Sequence, residues 1–350
     1  MTPDDLLRQD SEWLKGTGPN ADIVMSSRTR LARNIEKIPF SNWANKPQQQ
    51  DILAQVRDAA EKINFLKGSA FFMLKDLSEI DRLLLVERHL MSPEHAKDVE
   101  YKGLIVDPKE IVSIMINEED HLRIQVLQTG LNLRECWRIV DEIDTEFSKL
   151  IPYAYSPKWG YLTACPTNSG TGLRGSIMFH LPALVFSGQI SKILQAISKL
   201  GLNIRGLYGE GTEATGNIFQ VSNQASMGMT EEDLIGNIDR IINQTVSRED
   251  ATRKSLLMKS KEALVDRVSR AYGTLKSAHI ISSVETVTLL SAIRLGVDLG
   301  LVKNIDRKML NELFILTQPA HLQKLEGKAL TSNERDIKRA DLIRERLKGG

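Results

Sequence analysis

The sequence predicts an α+β fold in which an antiparallel sheet flanked by helices is followed by an all-helical domain. Several strand-like runs between residues 22 and 223 follow one another without a helix between them, which disfavours a doubly wound parallel sheet. Several of these runs alternate apolar and polar residues, as antiparallel strands with one covered face do. From Glu231 onward the strand-like runs stop, and apolar residues recur three and four positions apart, as in helices.

The elements of the first part follow from these two patterns. The strand-like runs are, in chain order, DIVMSS, AFFMLKDL, GLIVD, IVSIMIN, LRIQVL, GYLTAC, GSIMFHL and NIFQVSNQ. Helical spacing covers roughly Gln48–Leu66, Leu131–Leu150 and Leu181–Leu200.

The second part is predicted to be entirely helical. Its helical segments are EEDLIGNIDRIINQTVSRED, SLLMKSKEALVDRVSRAYGTL, VETVTLLSAIRLGVDLG and RKMLNELFIL. A last helix, TSNERDIKRADLIRERL, begins with a capping box formed by Thr331 and Glu334. No Pro- or Gly-rich linker marks a boundary; we place it near residues 245–255, which gives domains at 1–250 and 251–350.

The composition is that of an ordinary globular protein. Of 350 residues, 41% are hydrophobic and 26% charged, and the net charge of +1 provides no general attraction for nucleic acid or membrane. No apolar run approaches the ~18 residues of a membrane helix, and the amino terminus lacks the pattern of a secretory signal. Two cysteines, Cys136 and Cys165, argue against a disulfide framework and favour a reducing, cytoplasmic setting.

A first charged motif, SSRTRLAR at residues 26–33, follows a strand-like run. Arg28 and Arg30 are two residues apart and should project to the same side of an extended chain. Arginine suits phosphate oxygens because its guanidinium offers parallel N–H groups. Taken alone, a solvated basic strand end is the simpler interpretation of this motif.

A second charged motif, NEEDHLR at residues 117–123, stands at the end of the apolar run IVSIMI. Glu119 is a candidate base, and Arg123, four residues later, is a candidate phosphate ligand. Glu118 and Asp120 alternate away from Glu119 along the chain, so we expect them to have structural roles.

A glycine-rich segment, CPTNSGTGLRG at residues 165–175, contains a literal G-x-G-x-x-G. A strand-like run follows it and no acid occurs between Arg174 and Glu210, so a dinucleotide-binding fold is rejected. Cys165 lies among small polar residues beside Arg174, where a thiolate could be stabilised. Cys136 has the pattern of a core cysteine, and burial as a small hydrophobic residue is the usual outcome for a lone cysteine.

A second glycine-rich segment, RGLYGEGTEATG at residues 205–216, adds Arg205 and a second candidate base, Glu210. Neither a Walker-type phosphate motif nor zinc-ligand spacing occurs in the sequence. Together the motifs supply two candidate bases, one thiol and a set of arginines, namely Arg28, Arg30, Arg123, Arg174 and Arg205. This set suits phosphoryl transfer from a nucleotide, which depends mostly on positioning and charge neutralisation, with Mg²⁺ bridging phosphate oxygens.

The motifs SSRTRLARN, NEEDHLR, CPTNSGTGLR and RGLYGE resemble, in order and spacing, the signatures of the phosphagen (guanidino) kinases, the family of creatine and arginine kinases. The resemblance covers roughly residues 20 to 245. It implies an ATP:guanidino phosphotransferase that uses ATP and Mg²⁺. It also implies that Glu119 and Glu210 hold and deprotonate the guanidine, and that Cys165 contacts it.

The resemblance further implies a set of nucleotide-binding residues. It implies no protein residue that binds a metal ion. The five arginines are expected to bind the ATP phosphates, and His89, in the short motif ERHLMS, resembles the family's nucleotide-contacting histidine. Neighbouring residues of the same motifs complete the set: Ser26, Ser27, Thr29, Gly175, Ser176, Ile177, Met178, Gly206, Leu207, Tyr208 and Gly209.

One departure from the phosphagen kinases concerns the two ends of the chain. Those kinases carry a helical domain ahead of the first motif, whereas 25 residues precede Ser26 here and an extra helical region follows. This arrangement, with RDIKRA at residues 335–340, resembles the bacterial protein-arginine kinases of the same family. The resemblance implies that Arg335, Asp336 and Arg339 form an allosteric phosphoarginine site, and we expect Arg335 and Asp336 to face solvent.

Three functions remain open at this point. The resemblance favours a kinase that phosphorylates exposed arginines of proteins in a stress response, marking them for Clp degradation or regulating repressors. The alternatives are a kinase for free arginine or another small guanidino compound, and a non-catalytic adaptor. Expected partners are an activator such as McsA, a Clp ATPase or protease, and further copies of the chain in a homo-oligomer; nucleic acid and membrane are not expected.

Overall fold

The computed structural model of the chain describes residues 1–9, 11–206 and 214–348. Its strands are β1 (Val24–Arg33), β2 (Ala70–Met73), β3 (Gly103–Val106), β4 (Val112–Ile116), β5 (Leu122–Thr129), β6 (Tyr155–Ser156), β7 (Gly160–Tyr161), β8 (Leu173–His180), β9 (Leu202–Gly206) and β10 (Ile218–Asn223). Eight of them form an antiparallel sheet in the order β2-β3-β4-β5-β1-β8-β10-β9, and β6 pairs with β7. The predicted α+β class is confirmed.

Strand β1 lies in the middle of the sheet and pairs with β5 on one side and β8 on the other. Arg30 lies opposite Gln125 and Arg174 in these pairings, and Arg28 lies opposite Ser176. Directly opposed residues of neighbouring strands share a face of the sheet, so these polar side chains form one patch. Arg28 and Arg30 project to the same side, as their spacing predicts.

Helices cover the sheet and build the second part of the chain. In the described residues they are α1 (Pro3–Arg8), α2 (Lys46–Ala60), α3 (Glu79–Glu87), α4 (Leu133–Leu150), α5 (Pro182–Phe186), α6 (Ile190–Lys199), α7 (Glu231–Lys259), α8 (Lys261–Ser277), α9 (Ser283–Asp298), α10 (Arg307–Leu316), α11 (Pro319–Glu326) and α12 (Ser332–Lys348). Not one of these helices is long and apolar enough to cross a membrane.

Helix α4 packs on the face of the sheet opposite the arginines. Its residues Cys136, Ile139, Val140, Ile143 and Phe147 recur three and four positions apart and are buried. They belong to the main hydrophobic core, together with apolar residues of β1, β5 and β8. Burying one face of the sheet in this way leaves the other face available for polar side chains.

The second part of the chain shares its core with the sheet. Helix α7 runs without interruption across the predicted boundary at residue 250. A second hydrophobic cluster joins Met25, Met178 and Ile218 of the sheet to residues of α8, α9, α10 and α12. The buried Arg294 of α9 donates hydrogen bonds to the backbone carbonyls of Ala21 and Asp22, at 2.7 and 2.9 Å. The division at residue 250 stays a prediction.

Several elements differ from the sequence patterns. The segment LNIRG forms the unpredicted strand β9, because two separated apolar residues give no clear alternation. GYLTAC is a strand only over its first two residues. Leu181–Leu200 contains two helices because the chain turns at Gly188, whose φ is +69°. Helices α1, α3 and α11 are also absent from the predicted set, and the predicted helix SLLMKSKEALVDRVSRAYGTL is interrupted at Ser260.

Candidate active site

Five arginines line one cavity of about 530 Å³ on the face of the sheet opposite α4. They come from four strands: Arg28 and Arg30 from β1, Arg123 from β5, Arg174 from β8 and Arg205 from β9. The antiparallel register brings them together although they are spread over much of the chain. This convergence makes the cavity strongly cationic.

The neighbouring arginines repel one another, which disfavours the charged form of each guanidinium. Burial lowers the pKa of Arg28 to about 10, with further contributions from Arg123 and Arg174. Burial also lowers the pKa of Arg30 well below its usual value, again with a contribution from neighbouring arginines. A bound anion would offset this repulsion. The cavity is therefore suited to a ligand that carries several negative charges.

Three buried nitrogen atoms around the cavity have no hydrogen-bond partner among the described residues: Arg30 Nε, Arg174 Nε and His89 Nε2. Buried polar nitrogens are normally hydrogen-bonded, so unpartnered ones point to a ligand with polar groups of its own. A triphosphate presents oxygens on every side, and guanidiniums bind such oxygens with charge-assisted hydrogen bonds. The donor set thus fits the phosphates of ATP.

His89 reaches the cavity from the turn after α3, where its backbone φ is +60°. A positive φ is uncommon for a residue other than glycine and marks a constrained position. The side-chain amide of Gln125 donates to the His89 carbonyl at 2.7 Å, and the imidazole makes an edge contact with Trp13. Burial and the nearby Arg28 lower the pKa of His89 to about 3, so the imidazole is neutral at pH 7.

Glu118 fixes the position of Arg123. Arg123 Nη1 lies 2.6 Å from Glu118 Oε2, and the Ser92 hydroxyl donates to Oε1 at 2.7 Å. Burial acts to raise the pKa of Glu118, but Arg123, Ser92 and His95 outweigh it, and the pKa is lowered. Glu118 therefore stays ionised and directs an arginine into the cavity, a positioning role beyond the structural one expected from the sequence.

Glu119 lies in a smaller pocket of about 90 Å³. Arg30, Arg123 and Arg174 line both this pocket and the larger cavity. The two spaces are therefore neighbours with a common wall of guanidiniums. A group bound in the small pocket would lie directly beside the group bound by the arginines.

The pKa of Glu119 is raised, mainly by burial and further by the carboxylates of Asp120 and Glu118. A hydrogen bond with the Cys165 thiol is one of the influences that act in the opposite direction. Asp120 has a different role, because it accepts hydrogen bonds from Asn34 Nδ2 and the Ala164 backbone, both at 2.7 Å. Burial also raises the pKa of Asp120, so the hydrogen bonds that hold Asp120, and not the pKa alone, leave Glu119 as the candidate base of the pocket.

The expected nucleotide-binding residues of β1 have side chains on both faces of the sheet. Ser27 and Thr29 alternate with the arginines, and their hydroxyls donate to the carbonyls of Gly130 and Cys136, at 2.7 and 2.9 Å, on the α4 side. Ser26 is buried and is not among the residues that line the cavity. The arginines of this motif face the cavity, but the side chains of Ser27 and Thr29 do not.

The expected residues of β8 divide between the two faces of the sheet. Ser176 accepts a hydrogen bond from Arg28 Nε at 3.3 Å on the cavity side. Gly175 and Ile177 face the helices, and a Cβ on Gly175 would lie 2.8 Å from an isoleucine methyl of α7. Met178 packs in the second hydrophobic cluster. The side chains of Ile177 and Met178 are therefore not brought to the arginine cavity, and Gly175 has no side chain to bring there.

Four predicted residues, Glu210, Leu207, Tyr208 and Gly209, lie outside the described residues. Gly206, which precedes them, lines the cavity. Other residues that line it were not found from the sequence: Glu87, Gln125, Gln220 and Gln318. Strand alternation could have identified Gln125, two residues after Arg123, whereas no local pattern points to Glu87 or Gln318.

The RDIKRA residues lie on α12 where it packs against the rest of the helical region. Arg339 is buried, pairs with Asp336, and donates from Nε to the Thr317 carbonyl at 2.8 Å. Arg335 donates to the Leu330 carbonyl at 2.8 Å. The expectation that Arg335 and Asp336 face solvent is corrected: both are half-buried. The predicted capping box of Thr331 and Glu334 is confirmed.

We expect Cys165 to react with iodoacetamide faster than Cys136. Cys136 is fully buried and burial raises the pKa of its thiol, whereas Cys165 is only half-buried and more accessible to the reagent. Bound ATP should slow the labelling of Cys165, since the nucleotide would close the adjoining cavity. Mass spectrometry of the two peptides, with and without ATP, checks this; equal labelling of both cysteines would contradict it.

Two family models match successive parts of the chain. The ATP:guanido phosphotransferase, C-terminal catalytic domain, matches residues 51–252, and the protein-arginine kinase McsB C-terminal domain matches residues 261–349. The chain is 49% identical to a protein-arginine kinase of Halothermothrix orenii over 99% of both chains. It is 48% identical to a protein-arginine kinase of Symbiobacterium thermophilum over 97% of both chains.

Solved structures show the same fold at lower sequence identity. Lombricine kinase aligns with a TM-score of 0.60 and 22% identity over 69% of this chain and 70% of its own. The duplicated taurocyamine kinase from Schistosoma mansoni aligns with a TM-score of 0.61 and 23% identity, over 79% of this chain and 41% of its own. Taken with the family models and the near-full-length relatives, these similarities show that the chain belongs to the protein-arginine kinases, within the ATP:guanido phosphotransferases.

Proposed function

We propose that the protein is an ATP-dependent kinase that transfers the γ-phosphoryl group of ATP to arginine side chains of other proteins. The observation that carries this proposal is the junction of two spaces, since Arg30, Arg123 and Arg174 line both the cationic cavity and the pocket of Glu119. A donor phosphate and an acceptor guanidinium can meet at these three side chains.

On the donor side, the arginines hold the triphosphate and compensate the charge on the transferred group. Phosphoryl transfer passes through a loose transition state, so positioning and charge stabilisation provide most of the catalysis. Mg²⁺ is proposed to accompany ATP, and it would supply neutralisation of the phosphate charge beside the arginines. His89 and Gly206 are proposed to contact the nucleotide, because both line the same cavity.

On the acceptor side, an arginine side chain has a pKa above ~12 and must lose a proton to become a nucleophile. A guanidinium nitrogen attacks the γ-phosphorus, the bond to the β-phosphate oxygen breaks to release ADP, and Glu119 takes the proton. Its raised pKa makes Glu119 a stronger base than an exposed carboxylate. We propose Glu210 as the second carboxylate and Cys165 as a contact of the guanidinium, by the family resemblance.

Two observations favour a polypeptide acceptor over free arginine. The relatives that match nearly the whole chain are named protein-arginine kinases. An open groove of about 640 Å³ passes Glu118, beside the acceptor pocket, and its walls include Asn45, Gln49 and Tyr101. A groove at this place can hold the residues on either side of a target arginine.

The test uses ATP with a basic protein and, separately, with free arginine. The proposal expects acid-labile phosphate on the basic protein, located to arginine by mass spectrometry, and little product from free arginine. Equal or faster turnover of free arginine would favour a small-molecule guanidino kinase. ATP binding without transfer to either acceptor would favour the non-catalytic adaptor.

Further proposals rest on family membership. Phosphorylated proteins would be delivered to a Clp ATPase or protease, or phosphorylated repressors would lose activity. An activator such as McsA and a homo-oligomeric assembly are proposed on the same basis. Co-purification of the protein with each partner, and its mass in solution, would test these proposals.

Phosphoarginine is proposed to bind at Arg335, Asp336 and Arg339 and to tune activity. Arg335→Ala is the sharpest test, because it removes one hydrogen bond to a carbonyl, worth about 1 kcal/mol, whereas Asp336 pairs with a buried guanidinium. We expect Arg335→Ala to lose the response of activity and oligomer size to autophosphorylation. Arg346→Ala, an exposed arginine of the same helix, should keep it; a full response in Arg335→Ala would contradict the site.

A further inference from the structure

One wall of the nucleotide cavity comes from the helical region. Gln318, which joins α10 to α11, lines the cavity together with the arginines of the sheet. It is 8% exposed, and its side-chain nitrogen donates to the Phe314 carbonyl at 2.8 Å. With one N–H engaged, the amide oxygen and the second N–H are the groups that Gln318 can offer to polar groups of a nucleotide.

Glu87, at the end of α3, holds this wall from the catalytic side. Its carboxylate accepts the backbone N–H groups of Ala320 and His321, at 2.7 and 3.0 Å, and lies 2.7 Å from His321 Nδ1. The residue at the N-cap of α11, Gln318, makes no side-chain cap of its own. Glu87 therefore caps α11 from a distant part of the chain, where a carboxylate is favoured by the helix dipole.

The same carboxylate lies close to a second element of the cavity. Glu87 itself lines the cavity, and His89, two residues later, does so as well. On the other side of Gln318, the carbonyl of Thr317 accepts a hydrogen bond from the buried Arg339. Gln318 is thus held on both flanks, by Arg339 before it and by Glu87 after it.

We infer that the helical region completes the nucleotide site through Gln318, and that Glu87 is the positioning residue that holds Gln318 and His89 on their sides of the cavity. The inference rests on the proposed nucleotide site. Glu87 acts through α11 and not by contact with the reacting atoms. Its loss should loosen the site for ATP more than it slows the transfer of a phosphoryl group from ATP that is already bound.

Two variants test the inference, Glu87→Gln and Gln318→Leu. Glu87→Gln removes the charge of the cap, and Gln318→Leu removes the polar group of the wall without touching the cap. We expect each to raise the KM for ATP and the Kd of a fluorescent ATP analogue about tenfold, the usual order for losing a charge-assisted or buried hydrogen bond. The kcat at saturating ATP should change much less.

The matched control is Asp306→Ala. Asp306 caps α10 by accepting the Met309 N–H at 2.7 Å, so its loss should destabilise the helical region by about as much as loss of the α11 cap. Asp306→Ala should keep the parental KM for ATP although its melting temperature falls. An equal rise of KM in Asp306→Ala, or unchanged nucleotide affinity in Gln318→Leu, would overturn the inference.

Direct nucleotide binding separates this inference from the proposed function. If the parent binds ATP but phosphorylates no arginine, the proposal of a protein-arginine acceptor is wrong. The ATP affinities of the parent and of Glu87→Gln would still decide the role of Glu87. If Glu87→Gln does not fold, Gln318→Leu decides alone, because the Gln318 side chain takes no part in the Glu87 contacts.

Discussion

Glu119→Gln is expected to lower turnover by about 10²-fold or more while ATP affinity stays close to that of the parent. The substitution keeps the size of the side chain and removes its basicity, and the arginines that hold the triphosphate keep their partners. Steady-state rates and nucleotide binding, measured on the same preparations, check both halves of the expectation. Glu262→Gln, an exposed acid of α8, is the matched control and should turn over normally.

The pH dependence of turnover is a second test of Glu119. Burial and the neighbouring carboxylates raise its pKa, so the ionised base is lost as pH falls through that raised value. Turnover of the parent should therefore decline at a higher pH than an exposed glutamate would produce. The acid limb should disappear from the residual activity of Glu119→Gln. Normal turnover in Glu119→Gln would contradict the assignment of Glu119 as the base.

Arg30→Met is expected to weaken ATP binding and to lower turnover by about 10²- to 10³-fold, the range for removing one donor to a developing charge. In the absence of nucleotide, the same change should raise the melting temperature by about 2 °C. The reason is that the charge of Arg30 is opposed by burial and by Arg28, Arg123 and Arg174, and a methionine fills similar space without charge.

Thermal unfolding with and without ATP measures both effects of Arg30→Met. The stabilisation that ATP gives to the parent should shrink in the variant, because ligand stabilisation follows affinity. Arg240→Met, at an exposed position of α7, should leave the melting temperature and the response to ATP unchanged. If Arg30→Met keeps parental ATP affinity, the phosphates bind elsewhere. If it lowers stability without ATP, the contacts of the Arg30 side chain outweigh the repulsion among the arginines.

Much of the donor half of the candidate site could be predicted from local patterns. The two-residue period of a strand is enough to place Arg28 and Arg30 on one side. It does not separate Glu119 from Glu118 and Asp120, which lie between β4 and β5 and line the same pocket. Such a pattern can be read from neighbouring residues alone, because successive side chains of a strand point to opposite faces of the sheet. The same period places the side chains of Ser27 and Thr29 on the far face of the sheet.

Contacts between distant parts of the chain could not be predicted in this way. Glu87 and His321 are 234 positions apart, and no local pattern pairs them, although Glu87 is the first residue of the motif ERHLMS. Arg339 carries a charge on a helix rich in charged residues, so a solvated position was the natural expectation, yet it is buried against two backbone carbonyls. Such burial depends on the carbonyls that tertiary packing happens to supply, which helical periodicity does not encode.

The shared core has a consequence for how the molecule melts. Met25, Met178 and Ile218 of the sheet lie in one apolar cluster with the C-terminal helices. Arg294 of α9 also donates hydrogen bonds to two backbone carbonyls of the segment before β1. Separating the two parts would expose that cluster to water and remove two carbonyl acceptors from Arg294. We therefore expect calorimetry to show a single cooperative transition. A fragment ending at residue 250 would be an aggregation-prone half and not an independent enzyme.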